Sequence, residues 1–411
     1  MATILGSSNG AGVRYTVNGG QSLVPDYALI NSTTSDGIQS LVGGNHVWVR
    51  GTVSGNSNAI QLGDGTTDFA NRLIVDQGGF LSGTYAARIY GDQSSVTNAG
   101  VISGSTYGVY FVGSAGQSQS LTNTGQIFGT GAGLSISGAS NFSLTNTGII
   151  QGTVSIMLGT GNDMVRNTGT LIGDVQLGAG NDVFDGRGGT VIGNILGGDG
   201  NDRLINSANA ETFDGGAGVD VVNLAGSAGA IVFLDGRECG GSATGDSYLN
   251  VENVVGSAYG ADRITGNASN NLLNGRGGND FLFGAAGNDQ LIGGEGVDTL
   301  RGGAGNDVFV FQSLDDIGDV IQDFGRGMGN NDVIRIVGSA FGGGLTAGVL
   351  AAGQFRTGNF NTGQDADDRF ILRSTDKTLW FDVDGAGGAA SVMVADLQNN
   401  ALFNQLDILI V

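Results

Sequence analysis

Aspartates recur along this chain at intervals that a turn-and-strand repeat would produce. Gly293-Gly294-Glu295-Gly296-Val297-Asp298-Thr299-Leu300-Arg301 runs directly into Gly302-Gly303-Ala304-Gly305-Asn306-Asp307-Val308-Phe309-Val310. Stepping back in nines from Asp307, the sixth position holds Asp298, Asp289, Asp280, Asn271 and Asp262. Upstream the same hexad ends at Asp163, Asp182, Asp202 and Asp220, at steps of 19, 20 and 18 residues, about two nonapeptides each. A glycine-rich hexad makes a tight turn, because glycine enters left-handed backbone at little cost. The three residues after it alternate outward and inward as a short strand. Two such units close a coil of about 18 residues, and coils stack at ~4.8 Å. Same-side carboxylates then lie about 5 Å apart, where two unit charges repel by roughly 3 kcal/mol at an effective dielectric near 20. Such a ladder needs cations between its rungs. Hard divalent ions with about six to eight oxygen ligands fit best, and the turns expose carbonyls to complete the shell. Magnesium's strict octahedron and zinc's preference for nitrogen and sulfur fit poorly. The spacing therefore predicts Ca²⁺, in about seven or more sites.

The elements that would position these groups are coils of a solenoid. A second repeat reads Val96-Thr-Asn-Ala-Gly-Val-Ile-Ser-Gly104, Leu121-Thr-Asn-Thr-Gly-Gln-Ile-Phe-Gly129, Leu144-Thr-Asn-Thr-Gly-Ile-Ile-Gln-Gly152 and Val165-Arg-Asn-Thr-Gly-Thr-Leu-Ile-Gly173. Thr190-Val-Ile-Gly193 is a degenerate fifth copy. The period shrinks from 25 to about 20 residues, approaching the two-nonapeptide coil. Stacked inward amides are expected at Asn98, Asn123, Asn146 and Asn167. The fold class is thus all-β, a right-handed parallel β-solenoid running into a calcium-binding β-roll, with a β-rich C-terminal cap. Residues 1–45 form an N-terminal segment or cap, 46–157 β-helix-like coils, 158–310 the β-roll with an aperiodic insertion at 221–256, and 311–411 the cap. After Val310 the repeat stops. The cap reads as strands over Asp319–Phe324, Asp332–Val337, Arg369–Arg373, Leu379–Val383, Ser391–Leu397 and Asp407–Val411.

Composition narrows the function. The chain has 411 residues, a net charge of -21 and 79 glycines, and hydrophobic residues at 40% exclude a disordered acidic tail. One lysine against sixteen arginines leaves no basic patch, so nucleic-acid binding is not expected. A single His and a single Cys rule out HExxH zinc chemistry and an internal disulfide framework. No apolar run is long enough for a membrane span, and the first residues show no cleavable export signal.

The Gly-Gly-x-Gly-x-Asp nonapeptides resemble the RTX (repeats-in-toxin), hemolysin-type family of calcium-binding β-rolls. Gly245-Asp-Ser-Tyr-Leu-Asn-Val-Glu-Asn-Val-Val-Gly-Ser257 is similar to the segment leading into such arrays. Asp365-Ala-Asp-Asp-Arg-Phe-Ile-Leu-Arg, Leu379-Trp-Phe-Asp-Val-Asp-Gly and the Asp407-Ile-Leu-Ile-Val ending are similar to the cap and uncleaved signal of type I-secreted members. The resemblance implies, as calcium ligands, the carboxylates of Asp163, Asp182, Asp202 and Asp220 in one stack. It implies Asp262, Asp280 and Asp298 in a second, with Asp289 and Asp307 opposite. Turn glycines would complete the sites: Gly159, Gly161, Gly178, Gly180, Gly198, Gly200, Gly216 and Gly218 in the first array. In the second array these are Gly275, Gly277, Gly284, Gly287, Gly293, Gly294, Gly296, Gly302, Gly303 and Gly305. Asn271 replaces the liganding Asp, and the turns starting at 257 and 266 lack the double glycine.

The resemblance further implies export by type I secretion machinery to the outside or surface of a Gram-negative bacterium. The leading reading is a non-enzymatic, self-assembling or homo-oligomeric structural protein (surface layer, matrix, filament or adhesin subunit), with cell-surface polysaccharide or lipopolysaccharide as an outside partner. The rival is a carbohydrate-active β-helix enzyme, a lyase or epimerase, which needs a base beside acids in a groove. Residues 1–150 offer only Arg14, Arg50, Arg72, Arg88 and His46 for that role. Gly6-Ser7-Ser8-Asn9-Gly10 matches a hydrolase elbow outside any strand-turn-helix unit. His46 is expected to pack beside Trp48, Asp382-Val-Asp384-Gly385 to be a turn, and Cys239 to be a lone loop thiol.

Overall fold

The computed structural model describes residues 21–411 apart from 27, 66, 67, 116, 208, 225, 227, 328 and 399–401. In the first twenty residues it describes the backbones of 3–4, 8–10 and 13–15. The chain is 54% strand and 3% helix, which fixes the all-β class, and it is a β-solenoid. It divides into two compact units, Met1–Asp220 and Val221–Val411.

In the first unit one sheet stacks Gln21–Val24, His46–Val49, Arg72–Val75, Ser95–Asn98, Ser118–Asn123, Asn141–Asn146, Met164–Asn167, Val183–Asp185 and Arg203–Ile205, each parallel to the next. The period-two side-chain alternation of a strand puts one apolar residue per rung inside. Register then aligns Leu73, Val96, Leu121, Leu144, Val165, Phe184 and Leu204 in a column, each 0–1% exposed. A second sheet aligns Ile30, Val53, Leu81, Ile102, Ile127, Ile150 and Leu171 in the same way. Truncating one of these to Ala would cost about 2–5 kcal/mol, since no neighbour can collapse into a stacked column. The degenerate copy at Thr190–Ile192 pairs with Thr170–Ile172, in register with the others.

The stacking starts earlier than the sequence repeat. Leu29–Ser32 pairs with Thr52–Gly55, and Ile38–Ser40 with Asn58–Leu62, so part of residues 1–45 is built as coils. Ser8–Gly10 is a strand paired with Ile30–Ser32, which is no nucleophile elbow; Gly6 and Ser7 lie outside the described residues.

In the second unit Val222, Val254, Leu273, Leu291 and Phe309 form one column, and Val232, Ile264, Leu282 and Leu300 the other. The nonapeptide motif ends at Val310, yet the columns do not. Phe309 pairs with Ile334 and Ile334 with Ile408, while Leu300 pairs with Ile321 and Ile321 with Leu397. Only then do antiparallel strands take over: Phe370–Arg373, Thr378–Phe381 and Val392–Leu397, with Phe355–Gly358 parallel at the edge.

The aperiodic stretch 221–256 also keeps register, because Val221–Asn223 pairs with Asn253–Val255 across a 32-residue step. The extra length leaves as a hairpin between Ala230–Phe233 and Gly240–Gly241. Cys239 lies there as a free thiol, buried, with the Phe233 amide donating to its Sγ.

Candidate metal centre

The sixth-position aspartates stand at the turn ends, directly before each strand, and are 0–3% exposed. Their stacking is specific. The backbone N–H of Asp163 donates to Asp182 Oδ1 at 2.7 Å, Asp182 N–H to Asp202 Oδ1 at 2.8 Å, and Asp202 N–H to Asp220 Oδ1 at 2.7 Å. In the second unit Asp262 N–H donates to Asp280 Oδ1 and Asp280 N–H to Asp298 Oδ1, both at 2.7 Å. On the opposite side Asn271 N–H donates to Asp289 Oδ1 and Asp289 N–H to Asp307 Oδ1. The sixth-position residues thus stack in one column in the first unit and in two in the second.

Each carboxylate uses one oxygen this way. The other, Oδ2, is buried without a hydrogen-bond partner at Asp163, Asp182, Asp202, Asp280, Asp289, Asp298 and Asp307. Those oxygens converge with backbone carbonyls. At Gly284 the space a Cβ would fill is bounded by Asp289 Oδ2 and by Gly302 O at 2.6 Å; at Gly275 it is bounded by Asp280 Oδ2 and Gly293 O at 2.7 Å. Only glycine leaves that cradle open. The neighbouring turn position is equally restricted: Gly198 has φ +112, and a Cβ there would collide with Gly178 O of the coil before. Carbonyls of the turn glycines, Gly159, Gly161, Gly178, Gly180, Gly200 and Gly287 among them, each abut the equivalent turn of the following coil.

Burial has an electrostatic signature. Desolvation pushes the carboxyls of Asp163, Asp182, Asp280 and Asp289 up to about 7 and Asp298 to about 6, with the neighbouring aspartate adding to the rise at the first four. Asp202, Asp262 and Asp307 are raised too, chiefly by burial. A bare ladder therefore holds protons near neutrality, and a divalent cation would replace them. The donors are all oxygen, the preference of a hard cation. Among the described residues no three His, Cys, Asp or Glu side chains gather around one point, so each ion would take carboxylates from its rungs and the rest from carbonyls.

A family comparison adds the decisive match: the RTX calcium-binding nonapeptide repeat occurs in four copies, at residues 175–190, 193–223, 258–291 and 283–317. The chain carries RTX repeats. Such repeats bind Ca²⁺, and the oxygen-lined cradles suit it. No curated protein matches the chain.

Two predicted RTX rungs differ from the rest. Asp262 has both oxygens engaged, Oδ1 by the Ala230 amide and Oδ2 by the Ser257 amide and hydroxyl. Asn271 closes its own turn: Oδ1 accepts from Asn267 N–H, and Nδ2 donates to Glu252 O and Asn267 Oδ1. The sequence signals were Ser257, where the other turns of this array open on glycine, and Asn in place of Asp at 271. Sequence reasoning missed two further rungs. Asp298 N–H donates to Asp319 Oδ1 and Asp307 N–H to Asp332 Oδ1, at steps of 21 and 25 residues. Asp319-Val-Ile and Asp332-Val-Ile repeat the pattern of Asp307-Val-Phe, which is where the signal lay. It also missed an outer ladder running the other way, in which Asn181 N–H donates to Asn162 Oδ1 and Asn201 N–H to Asn181 Oδ1.

Of the groups weighed for catalysis, Arg50 pairs with Asp76 at 2.8 Å on the surface, His46 packs edge-on to Trp48 at 6.0 Å and lies in register with Arg72 of the next strand, and Arg88 lies over tyrosine rings. The Asp382–Gly385 segment is a bend held by the Asp382 side chain, with Asp384 N–H donating to Asp382 Oδ1 and Gly363 N–H to Asp382 Oδ2.

Proposed function

We propose that this calcium-binding β-solenoid is an extracellular structural subunit of a Gram-negative bacterium, exported by type I secretion machinery and folded by calcium outside the cell. The observation that carries the reading is the row of buried carboxylate oxygens without partners, facing backbone carbonyls. Extracellular calcium modules bind at about 10⁻⁴ to 10⁻³ M, so the array would fill outside and stay empty in cytosol. About seven ions, one per open rung, complete the ladder. They also cancel much of the -19 carried by residues 151–411, which lowers repulsion between copies and favours association into layers or filaments. No helix among the described residues is long and apolar enough to cross a membrane.

The outer face of the first unit supports a polysaccharide partner. Tyr85, Tyr107 and Tyr110 cluster at 5.2–5.4 Å, with the Arg88 guanidinium 5.1 Å over Tyr85, a platform suited to sugar rings and their anionic groups. Sedimentation of the full chain with and without millimolar calcium tests the reading. Calcium-driven growth in mass, seen as layers or filaments by negative stain, supports it, and a strict monomer at high concentration rules out self-assembly.

A further inference from the structure

The matched RTX repeats end at residue 317, but the columns of buried aspartates run one step further on each side, to Asp319 and to Asp332. At Gly275 and Gly284 the second oxygen of each cradle is the carbonyl of the next coil's first glycine. The turn at Gly293 has no such glycine after it. Asp319 Oδ2 stands there instead, 2.9 Å from the point a Gly293 Cβ would occupy, facing Asp298 Oδ2 across the same space. Asp298 is 0% and Asp319 1% exposed, and neither Oδ2 has a hydrogen-bond partner. Their Oδ1 atoms are spent on the Asp280 and Asp298 amides. Asp316 lies beside them with both oxygens satisfied by Gly294 N–H and Gln312 N–H, so it does not compete for a ligand. The opposite edge is built differently. Asp332 Oδ1 accepts from Asp307 N–H and Oδ2 from Gly325 N–H at 2.6 Å, so backbone closes it.

We propose that Asp298 and Asp319 share a divalent cation, calcium by its all-oxygen surroundings, at a site outside the nonapeptide motif that ties the cap to the roll. Two carboxylate oxygens facing each other in a dry cradle have no other means of compensation than a cation or a shared proton. The site's location gives it a distinct job. Asp319–Ile321 pairs with Thr299–Leu300 of the last repeat on one side and with Ala395–Leu397 of the cap on the other, while Gly318 N–H donates to Val394 O. An ion there locks the strand on which the antiparallel cap is assembled. The inference rests on the calcium reading of the ladder, and one experiment separates the two.

Bound calcium is counted on the full chain by equilibrium dialysis with elemental analysis. Cap order is followed through Trp380, which pairs with Met393 one strand from Asp319, in a Trp48→Phe background that leaves it the sole tryptophan. Asp319→Asn keeps the acceptor for the Asp298 amide. It is expected to lower the count by one and shift the Trp380 transition to higher calcium. Asp182→Asn is expected to lower the count and leave the Trp380 transition in place. An unchanged count in Asp319→Asn alone overturns the terminal site, and an unchanged count in both variants overturns the ladder itself. If Asp319→Asn does not fold, Asp298→Asn decides: one ion lost together with a shift of the Trp380 transition to higher calcium supports the shared site, and an unchanged count or an unshifted transition overturns it.

Discussion

Two polar ladders run inside this molecule, and they solve the same problem with opposite chemistry. Asn98, Asn123, Asn146 and Asn167 are each 0% exposed, and each Nδ2 of the first three donates to the next Oδ1 at 2.8 Å. An amide carries donor and acceptor, so the stack satisfies itself. The Asp163–Asp182–Asp202 ladder has the same burial and the same one-per-coil spacing, but a carboxylate has acceptors only. One oxygen finds a backbone N–H and the other finds nothing. The amide ladder is complete as the chain folds, whereas the carboxylate ladder becomes complete only with an ion or a proton. A single element, stacked coils of parallel strand, thus yields a self-sufficient region and a conditional one.

The largest break in that comparison comes from removing calcium. With calcium about tenfold above its dissociation constant each site contributes about 1.4 kcal/mol, and about seven sites together match a domain's whole stability. Chelation of the full chain is expected to cost most of the β signal contributed by residues 158–310 while the amide-ladder coils persist. Circular dichroism with limited proteolysis checks this: cleavage should begin beyond residue 158. Equal protection of both regions in chelator would erase the distinction between them.

A pH titration sharpens the same contrast. An ordinary aspartate titrates near 3.8, whereas folded Asp163, Asp182, Asp280 and Asp289 are pushed to about 7 by burial. Between those values the folded, ion-free ladder binds protons that the unfolded chain has released. Its stability is therefore greatest in acid and is lost as pH climbs through about 7. Chelated protein should regain β signal as pH falls from 8 to 5. In calcium the sign reverses, because binding must expel those protons, so calcium affinity should fall over the same window. Calorimetry in two buffers of different ionisation enthalpy would read the released protons, and their absence would show that the carboxylates are already ionised.

Fold and site are legible in the sequence where period and chemistry coincide. Asp280, Asp289, Asp298 and Asp307 stack as their nine-residue spacing requires, and the amide ladder follows from Thr-Asn-Thr-Gly alone. The limits are equally physical. A strand needs only its inward residue to keep register, so Asp319 and Asp332 continue the stack after the glycine turns that mark it have gone. Likewise Leu29–Ser32 joins the first coils with no repeat to announce it. The hairpin that buries Cys239 depends on contacts distant in sequence, which spacing does not encode.

Exchange of chemistry within the amide ladder gives a smaller, local effect. Asn123 Nδ2 donates to Asn146 Oδ1, Ile149 O and Gly125 O, at 2.8, 3.2 and 3.3 Å. Asn123→Asp removes those donors and buries a charge among acceptors, which is expected to cost about 3 kcal/mol or more. Thermal melts should show the loss equally in calcium and in chelator, since no glycine cradle opens there. Rescue by calcium would mean that stacked carboxylates recruit an ion without the turn, and that the turn is not what makes the site.

The smallest expected effect tests the reverse exchange. Asn271 sits in the carboxylate column, one coil before Asp289, and its amide keeps the turn shut by donating to Glu252 O at 2.7 Å and Asn267 Oδ1 at 3.1 Å. Asn271→Asp turns both contacts into acceptor against acceptor, which in chelator should cost about 1–2 kcal/mol. The same change gives the coil the carboxylate that its neighbours use, above a Gly266 cradle that already faces Gly284 O. Calcium should then recover the loss, and titration calorimetry should count one more ion than in the parent chain. A variant that loses stability in both conditions and gains no ion would show that the glycine at the fourth position of the neighbouring turns (Gly278, Gly287, Gly296 and Gly305), replaced here by Ser269, is as necessary to a rung as its carboxylate.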